Sequence, residues 1–523
     1  MPSAAAAPPP RSSARKRAAD SRKRVKPNPS SCAVTYGGET PPPGKVEDCD
    51  LVLVQDPDRL RRVLKEAGLD DRSIAVKVVL PEKVRMVVCW FDANKPATSA
   101  AQIAQVAVAL RRDDESVRLR MELVDSEHRA RIVLAVAKAA YDGYASRKRK
   151  DGDAHKKITF FGAGTADDGR HLERVCQGTA LAADVENAPG NEVGPSDLAR
   201  AIIAWQPRGM AHVRARTLDA AELARLGMGL VLGVGRGAER PPCVALLELR
   251  GGADRGGGSK KDNRRPVVAL IGKGITYDTG GLSIKTLDGM LGMHGDKSGA
   301  AIAAAVFRHL ATMPSPPPFD VVAVLPCAEN AVSDRAVRPG DVLTACDGTT
   351  VEIVNPDAEG RLVLADALAF AGRAFKPDYA IDFATMTVTG LLVHPDVTAV
   401  IYATDDALSD TAQEAGEACG ERVWRMPPWS EYGYETDSQV ADSRNSGWST
   451  MADGYMASLF IKRFVPKSCG ENAERWLHVD VSKNEATGTR QGGGSGPFVG
   501  SGVALGVAIV NGMRPLWGGK TRA

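Results

Sequence analysis

The sequence predicts an α/β protein: a smaller N-terminal α/β domain, then a larger C-terminal α/β domain with a mixed, mostly parallel central sheet between helices. Three observations predict it. At 523 residues the chain has room for two to four domains, each large enough to bury a core. Its apolar runs are short, rich in Val and continuous rather than alternating, the pattern of strands covered on both faces. Between them lie stretches with an apolar stripe at helical spacing.

Residues 1–46 carry AAAAPPP, the clusters Arg15-Lys16-Arg17 and Arg22-Lys23-Arg24, and a Pro/Ser/Gly mixture through PPPGK. Nothing apolar repeats there, so the expectation is a disordered basic tail. A nuclear signal or an organellar transit peptide is the alternative, because acids are almost absent. The whole chain is +3, but residues 1–30 hold eight Lys/Arg and one Asp. The remainder, 59 Lys+Arg against 63 Asp+Glu, is slightly acidic, which argues against a nucleic-acid coat. No apolar run reaches the roughly 18–20 residues that span a bilayer, so the expectation is a soluble protein. Nine cysteines, odd in number and never spaced CxxC, fit a reducing compartment and neither a disulfide scaffold nor a thiolate zinc site.

Residues 47–165 form the expected N-terminal domain. DLVLVQ, SIAVKVVL and VRMVVCWFD read as strands, and 98–112 and 127–141 as helices, the first starting at the Thr98-Ser99 cap signal. The charged stretch SRKRKDGDAHKK (146–157) reads as an exposed loop before the strand ITFFG. No cluster of chemically active residue types occurs in this domain.

Residues 166–523 form the larger domain. It opens with the helical stretch HLERVCQGTALAADVENAP, followed by the strands VALLELR, PVVALIG, FDVVAVLP, YAIDFATM and RWLHVDV. The helical segments 297–311 and 359–375 alternate with them. GGADRGGG (251–258) and GTRQGGGSG (488–496) read as flexible loops.

Ligands of open α/β sheets bind beyond the carboxyl ends of the strands. PVVALIG runs into a Gly-containing loop bearing Lys273, Asp278 and Lys285; Met293, His294 and Asp296 follow, just before a small-residue helix. VEIV ends in a turn holding Asp357, Glu359 and Arg361. Each residue alone reads more simply as a cap, a turn or a solvated charge. Together, four carboxylates converging on one crevice repel unless cations sit among them, and two divalent ions match four ionised acids. Metal pairs roughly 3.5–4 Å apart are a common hydrolytic device. The eight histidines are isolated, without HExxH, so the site is oxygen-rich, with one neutral lysine amine as its nitrogen, and suited to Zn, Mn, Co or Mg.

GKGITYDTGGLSIK, then GMHGD, then NPDAEGRLVLADAL closely resemble the leucyl aminopeptidase (cytosol aminopeptidase) family of two-metal exopeptidases. The resemblance covers roughly residues 168–515, including DVENAPGNEVGPSDLA, RPGDVL, ADGYMASLFIKRF and WLHVDV. It implies a metal-dependent aminopeptidase that removes Leu and other apolar residues from peptide N-termini. It implies Lys273, Asp278, Asp296, Asp357 and Glu359 as metal ligands, with Asp278 and Glu359 bridging. Lys285 is implied to polarise the carbonyl, and Arg361 to hold a bicarbonate that serves as general base. Met293 is implied to line the first side-chain pocket, Thr385 to lie near the substrate backbone, and Asp296 to receive the α-amine. A homohexamer is implied as well, while the cysteine, hydropathy and charge patterns point to a cytoplasmic protein without membrane or nucleic-acid partners. Departures from the family pattern fall at Pro356, Val388 and Lys297. Val388 leaves a narrower dipeptidase as an alternative, and a nucleic-acid-binding or scaffolding protein on the same fold is another.

Overall fold

The computed structural model describes residues 34–36, 48–54, 75–79, 85–90, 100–105, 107, 116–141, 157–161, 164–207, 209–252, 264–387, 398–447, 452–482 and 498–513. The charged stretch 146–156, most of the first Gly-rich loop, all of the second, and Val388 lie outside these residues.

The N-terminal sheet contains β1 (Val34–Tyr36), β2 (Asp48–Val54), β3 (Ala75–Val79), β4 (Arg85–Trp90), β5 (Ser116–Leu123) and β6 (Lys157–Phe161), in the order β1-β6-β5-β2-β4-β3. Every pair is parallel except β3/β4. Val117, Leu119 and Met121 alternate inward on β5 and join a buried cluster with Ile132, Val133 and Val136 of the helix Ser126–Ala139. That is the period-2 face meeting the helical stripe. One expectation needs correction: Val34–Tyr36 lies within the segment read as a disordered tail, yet pairs in register with β6. Three residues carry too little periodicity to be seen locally, and a partner 124 positions away supplies the hydrogen bonds. The remainder of 1–46 lies outside the described residues.

The second sheet is built from β7 (Val213–Leu218), β8 (Cys243–Leu249), β9 (Val267–Gly272), β10 (Gly274–Asp278), β11 (Asp320–Asn330), β14 (Tyr379–Ala384), β15 (Ala399–Ala403), β16 (Val423–Met426) and β18 (Trp476–Asp480). Its order is β16-β15-β18-β14-β9-β11-β8-β7, with β10 alongside β11. The centre, β18-β14-β9-β11, is parallel; β15/β18, β11/β8 and β8/β7 are antiparallel. A small sheet of β12 (Val342–Thr344), β13 (Thr350–Glu352) and β17 (Ser443–Arg444) stands beside it.

Helices cover both faces. On one, the small-residue helix Ser298–Ala311 is almost wholly buried and packs against the helix Ala166–Glu186, which a Thr165/Asp168 capping box starts. On the other lies Gly360–Phe375, with Leu364 and Leu368 in a second buried cluster. The first helix can approach the sheet only because residue 299 is glycine. A β-carbon there would stand 2.1 Å from the Phe383 carbonyl oxygen and 2.9 Å from the Lys273 nitrogen. This close approach lets the Ala300 N–H donate to the Lys273 carbonyl (2.7 Å), fixing the chain where β9 ends. Among the described residues no helix is long and apolar enough to cross a membrane.

Candidate metal centre

β9, β10 and β14 end on the same edge of the sheet, and the predicted residues meet there. Lys273 follows β9 directly. Its Nζ stands 2.7 Å from Asp296 Oδ1 and 3.0 Å from Glu359 Oε1, and donates to the Thr385 carbonyl at 2.6 Å. Residue 360 must be glycine for this, since a β-carbon there would lie 2.7 Å from that amine. Asp278 ends β10; its Oδ1 accepts from the Gly280 N–H (2.9 Å) and Asn330 Nδ2 (2.8 Å). Asp296 closes the 3₁₀ turn Met293–Gly295 and accepts from Thr385 Oγ1 at 2.7 Å. Asp357 and Glu359 sit in the turn leading into the helix Gly360–Phe375. There Asn445 braces the chain, accepting from the Val354 and Asn355 N–H groups and donating to the Asn355 carbonyl. Asp278, Asp357 and Glu359 each offer a carboxylate oxygen within 4.8 Å of the others.

The electrostatics are those of a cation site. Burial, then the charge of Asp278, pushes Glu359 up to about 8, and the same two causes raise Asp357. Glu359 Oε2 is buried with no hydrogen-bond partner. The resemblance implies Lys285 as the group that polarises the carbonyl and names it nowhere among the metal ligands. Here its Nζ sits inside, 2.8 Å from Asp278 Oδ2 and 2.6 Å from Asp357 Oδ1. Burial would lower its pKa, but Asp278, Glu359 and Asp357 outweigh that and hold the ammonium charged. Crowded acids draw in the nearest flexible cation. Arg361 is 2% exposed; it donates to Asp453 (2.8 Å) and the Asn445 carbonyl (3.1 Å), while its Nε has no partner.

Met293 is half-buried on the turn beside Asp296, and Thr385 lies beneath the cluster. His294 takes no place among the acids; its ring packs edge-on against Phe498, and burial, then Lys297, holds it neutral with a pKa of about 4. Pro356 contributes its carbonyl to Asn330 Nδ2 at 3.1 Å. Lys297 is fully buried, donating to the Ala188 carbonyl at 2.9 Å and to that of His294. Asn330, Asn445 and Asp453 were not read from the sequence; isolated residues of these types carry no local signal. A separate cavity of about 530 Å³, lined by Arg214, Arg250, Arg264 and Arg265, opens beside the amino ends of β9 and β11, the opposite edge from the carboxylates.

A parallel-centred α/β catalytic fold with an acidic cluster at its strand ends defines the class, and the comparisons give the family. The catalytic domain of the cytosol aminopeptidase family matches residues 180–505, and the chain belongs to that family. A probable cytosol aminopeptidase of Geobacter sp. (strain M21) is 41% identical over 310 residues, 59% of each chain. One from Agrobacterium fabrum is 36% identical over 367 residues, 69% of this chain and 70% of its own. The matched region thus spans 59% of the length of the Geobacter relative. Among solved structures, a cytosol aminopeptidase from Coxiella burnetii aligns with a TM-score of 0.73 at 26% identity, covering 92% of this chain and 99% of its own. A tomato leucine aminopeptidase mutant aligns at 0.71 and 25% identity, covering 91% and 96%.

Proposed function

We propose that this chain is a metal-dependent aminopeptidase that releases N-terminal amino acids, Leu and other apolar residues by preference, from peptides. One observation carries the proposal. A carboxylate oxygen, Glu359 Oε2, is buried without a partner among three further carboxylates and two lysines. Such an atom is costly unless a cation meets it. The donor set fits two divalent ions, which Lys273, Asp278, Asp296, Asp357 and Glu359 would hold. Its oxygen-rich character suits Zn, Mn, Co or Mg. When bound, such ions polarise the scissile carbonyl and acidify a water.

The chain's own groups have the remaining roles. Lys273 would serve as a ligand only as the neutral amine. Lys285, held as an ammonium, would face the oxygen where negative charge develops. Arg361, with Nε unengaged, fits a small planar anion such as bicarbonate, which would serve as the general base that the engaged carboxylates cannot supply. Asp296 receives the free α-ammonium and Met293 borders the first side chain, so a blocked N-terminus is excluded. Residues 47–165 and 166–523 act as two domains. The family likeness supports a cytoplasmic homohexamer.

The test uses the purified full chain with Leu p-nitroanilide and its N-acetyl form. Turnover that needs Mn or Zn, disappears with chelator and is absent on the acetylated compound is the expected outcome. Activity indifferent to chelator, or equal on the blocked compound, would overturn the proposal.

A further inference from the structure

Cys243 and Cys327 stand directly opposite one another in the antiparallel ladder of β8 and β11, the last of seven consecutive pairs without a bulge. Directly opposed residues in such a ladder have Cα atoms about 4.5 or 5.5 Å apart. Both separations fall inside the roughly 4.4–6.8 Å that a disulfide spans. The two side chains share one face of the sheet and one buried cluster with Leu198, Ala199 and Ile202 of the helix Pro195–Trp205. Both are free thiols here. Cys243, at the first position of β8, is 4% exposed, whereas Cys327 is fully buried.

We propose that Cys243 and Cys327 form a modification site, a cross-strand dithiol that a small hydroperoxide converts reversibly to a disulfide. Cys243, the more accessible sulfur, attacks the peroxide oxygen. The O–O bond breaks, giving a sulfenic acid on Cys243 and one water. Cys327 then attacks the Cys243 sulfur; the S–O bond breaks, the S–S bond forms, and the thiol proton leaves in a second water. Two thiols and one hydrogen peroxide thus give a disulfide and two waters, each sulfur losing one electron and the peroxide gaining two. The contact with Cys243, then burial, raises the Cys327 thiol well above the usual cysteine value. That shift leaves Cys327 the slower of the two sulfurs toward peroxide, and its place directly across the ladder from Cys243 is what makes it the resolving partner.

The test is hydrogen peroxide treatment of the full chain, alkylation of remaining thiols under denaturation, and unreduced peptide mass spectrometry. The expected product is one linked peptide pair holding Cys243 and Cys327, two hydrogens lighter than its parts and separated by dithiothreitol. In C327S, dimedone should trap a Cys243 sulfenic acid that is at least tenfold scarcer in the unaltered chain. Recovery of both cysteines alkylated, or of Cys243 as sulfinic acid with Cys327 intact, would overturn the proposal. So would equal dimedone labelling in the two proteins. If C327S does not fold, the linked pair and its reversal decide alone.

Discussion

Replacing Glu359 with Gln should strengthen the metal-free protein and weaken the metal-loaded one. The carboxyl is 2% exposed and its pKa rises from an ordinary 4.5 to about 8 in the chelated chain. Below pH 4.5 folded and unfolded forms both hold the proton and nothing is lost. Between 4.5 and 8 only the unfolded chain ionises, so stability falls as pH rises and levels off above the folded value. At about 1.4 kcal/mol per unit, the 2.5 units from 4.5 to 7 amount to about 3 kcal/mol, which a neutral amide of the same shape does not lose. Part of that gain is returned because Gln keeps only a weak contact with the Lys273 amine, which stands 3.0 Å from Glu359. A net gain of about 2 kcal/mol at pH 7 is therefore expected in chelator, vanishing by pH 4.5. With Mn at a hundredfold its Kd the unaltered chain gains about 2.7 kcal/mol, and the variant, short of one carboxylate, gains far less. Urea denaturation followed by tryptophan fluorescence, with and without Mn, measures both. A variant that is weaker than the parent in chelator, or equally stabilised by Mn, would refute the charge argument.

Replacing Lys285 with Met should lower kcat about 10²–10³-fold with KM changed little, as for loss of one donor to a developing oxyanion; steady-state kinetics on Leu p-nitroanilide read it. His309 is buried with both ring nitrogens unpartnered; burial, then His171 and Arg174, holds its pKa well below 6.5. Stability should therefore fall as pH drops below about 6.5, by up to about 1.4 kcal/mol per unit, and a His309→Leu variant should lose that part of the slope in urea midpoints compared at pH 7 and 5.5. Glu421, 1% exposed, meets Lys138 of the N-terminal domain and accepts from the Gly502 (3.0 Å) and Leu505 (2.7 Å) N–H groups. Glu421→Ala should cost about 2 kcal/mol in denaturation, because it orphans two buried helix-start donors and the contact with the half-buried Lys138 amine.

Much of the catalytic half was legible because one rule converts periodicity into place. Continuous apolar runs mark strands, and ligands collect where parallel strands end, so PVVALIG and VEIV pointed to Lys273, Asp278, Asp357 and Glu359 before any contact was known, whereas Thr385 came only from the family resemblance. The antiparallel strands β7 and β8 were not distinguishable in the same way. VALLEL is buried on both faces whichever direction its neighbours run, and the local pattern carries no sign of direction. The braces of the site stayed hidden for another reason. Asn445 acts through a turn about 90 residues earlier in the chain, and a single asparagine has no periodicity to betray that.

Lys297 marks where reading charge as exposure fails. A lysine before a helix of Ala and Gly suggests a solvated cap, yet those small residues are what let the helix sink against the sheet and carry the lysine inside with it. Once buried, its amine must be met, and the carbonyls of Ala188 and His294 meet it, with fully buried Glu186 nearby as the opposing charge. Glu186 in turn accepts from the Gly500 N–H at 3.1 Å. Three segments remote in sequence are thereby tied together behind Asp296. The small-residue helix thus sets both the depth of the lysine and the placement of the turn that carries the carboxylate, and neither follows from the charge of residue 297 alone.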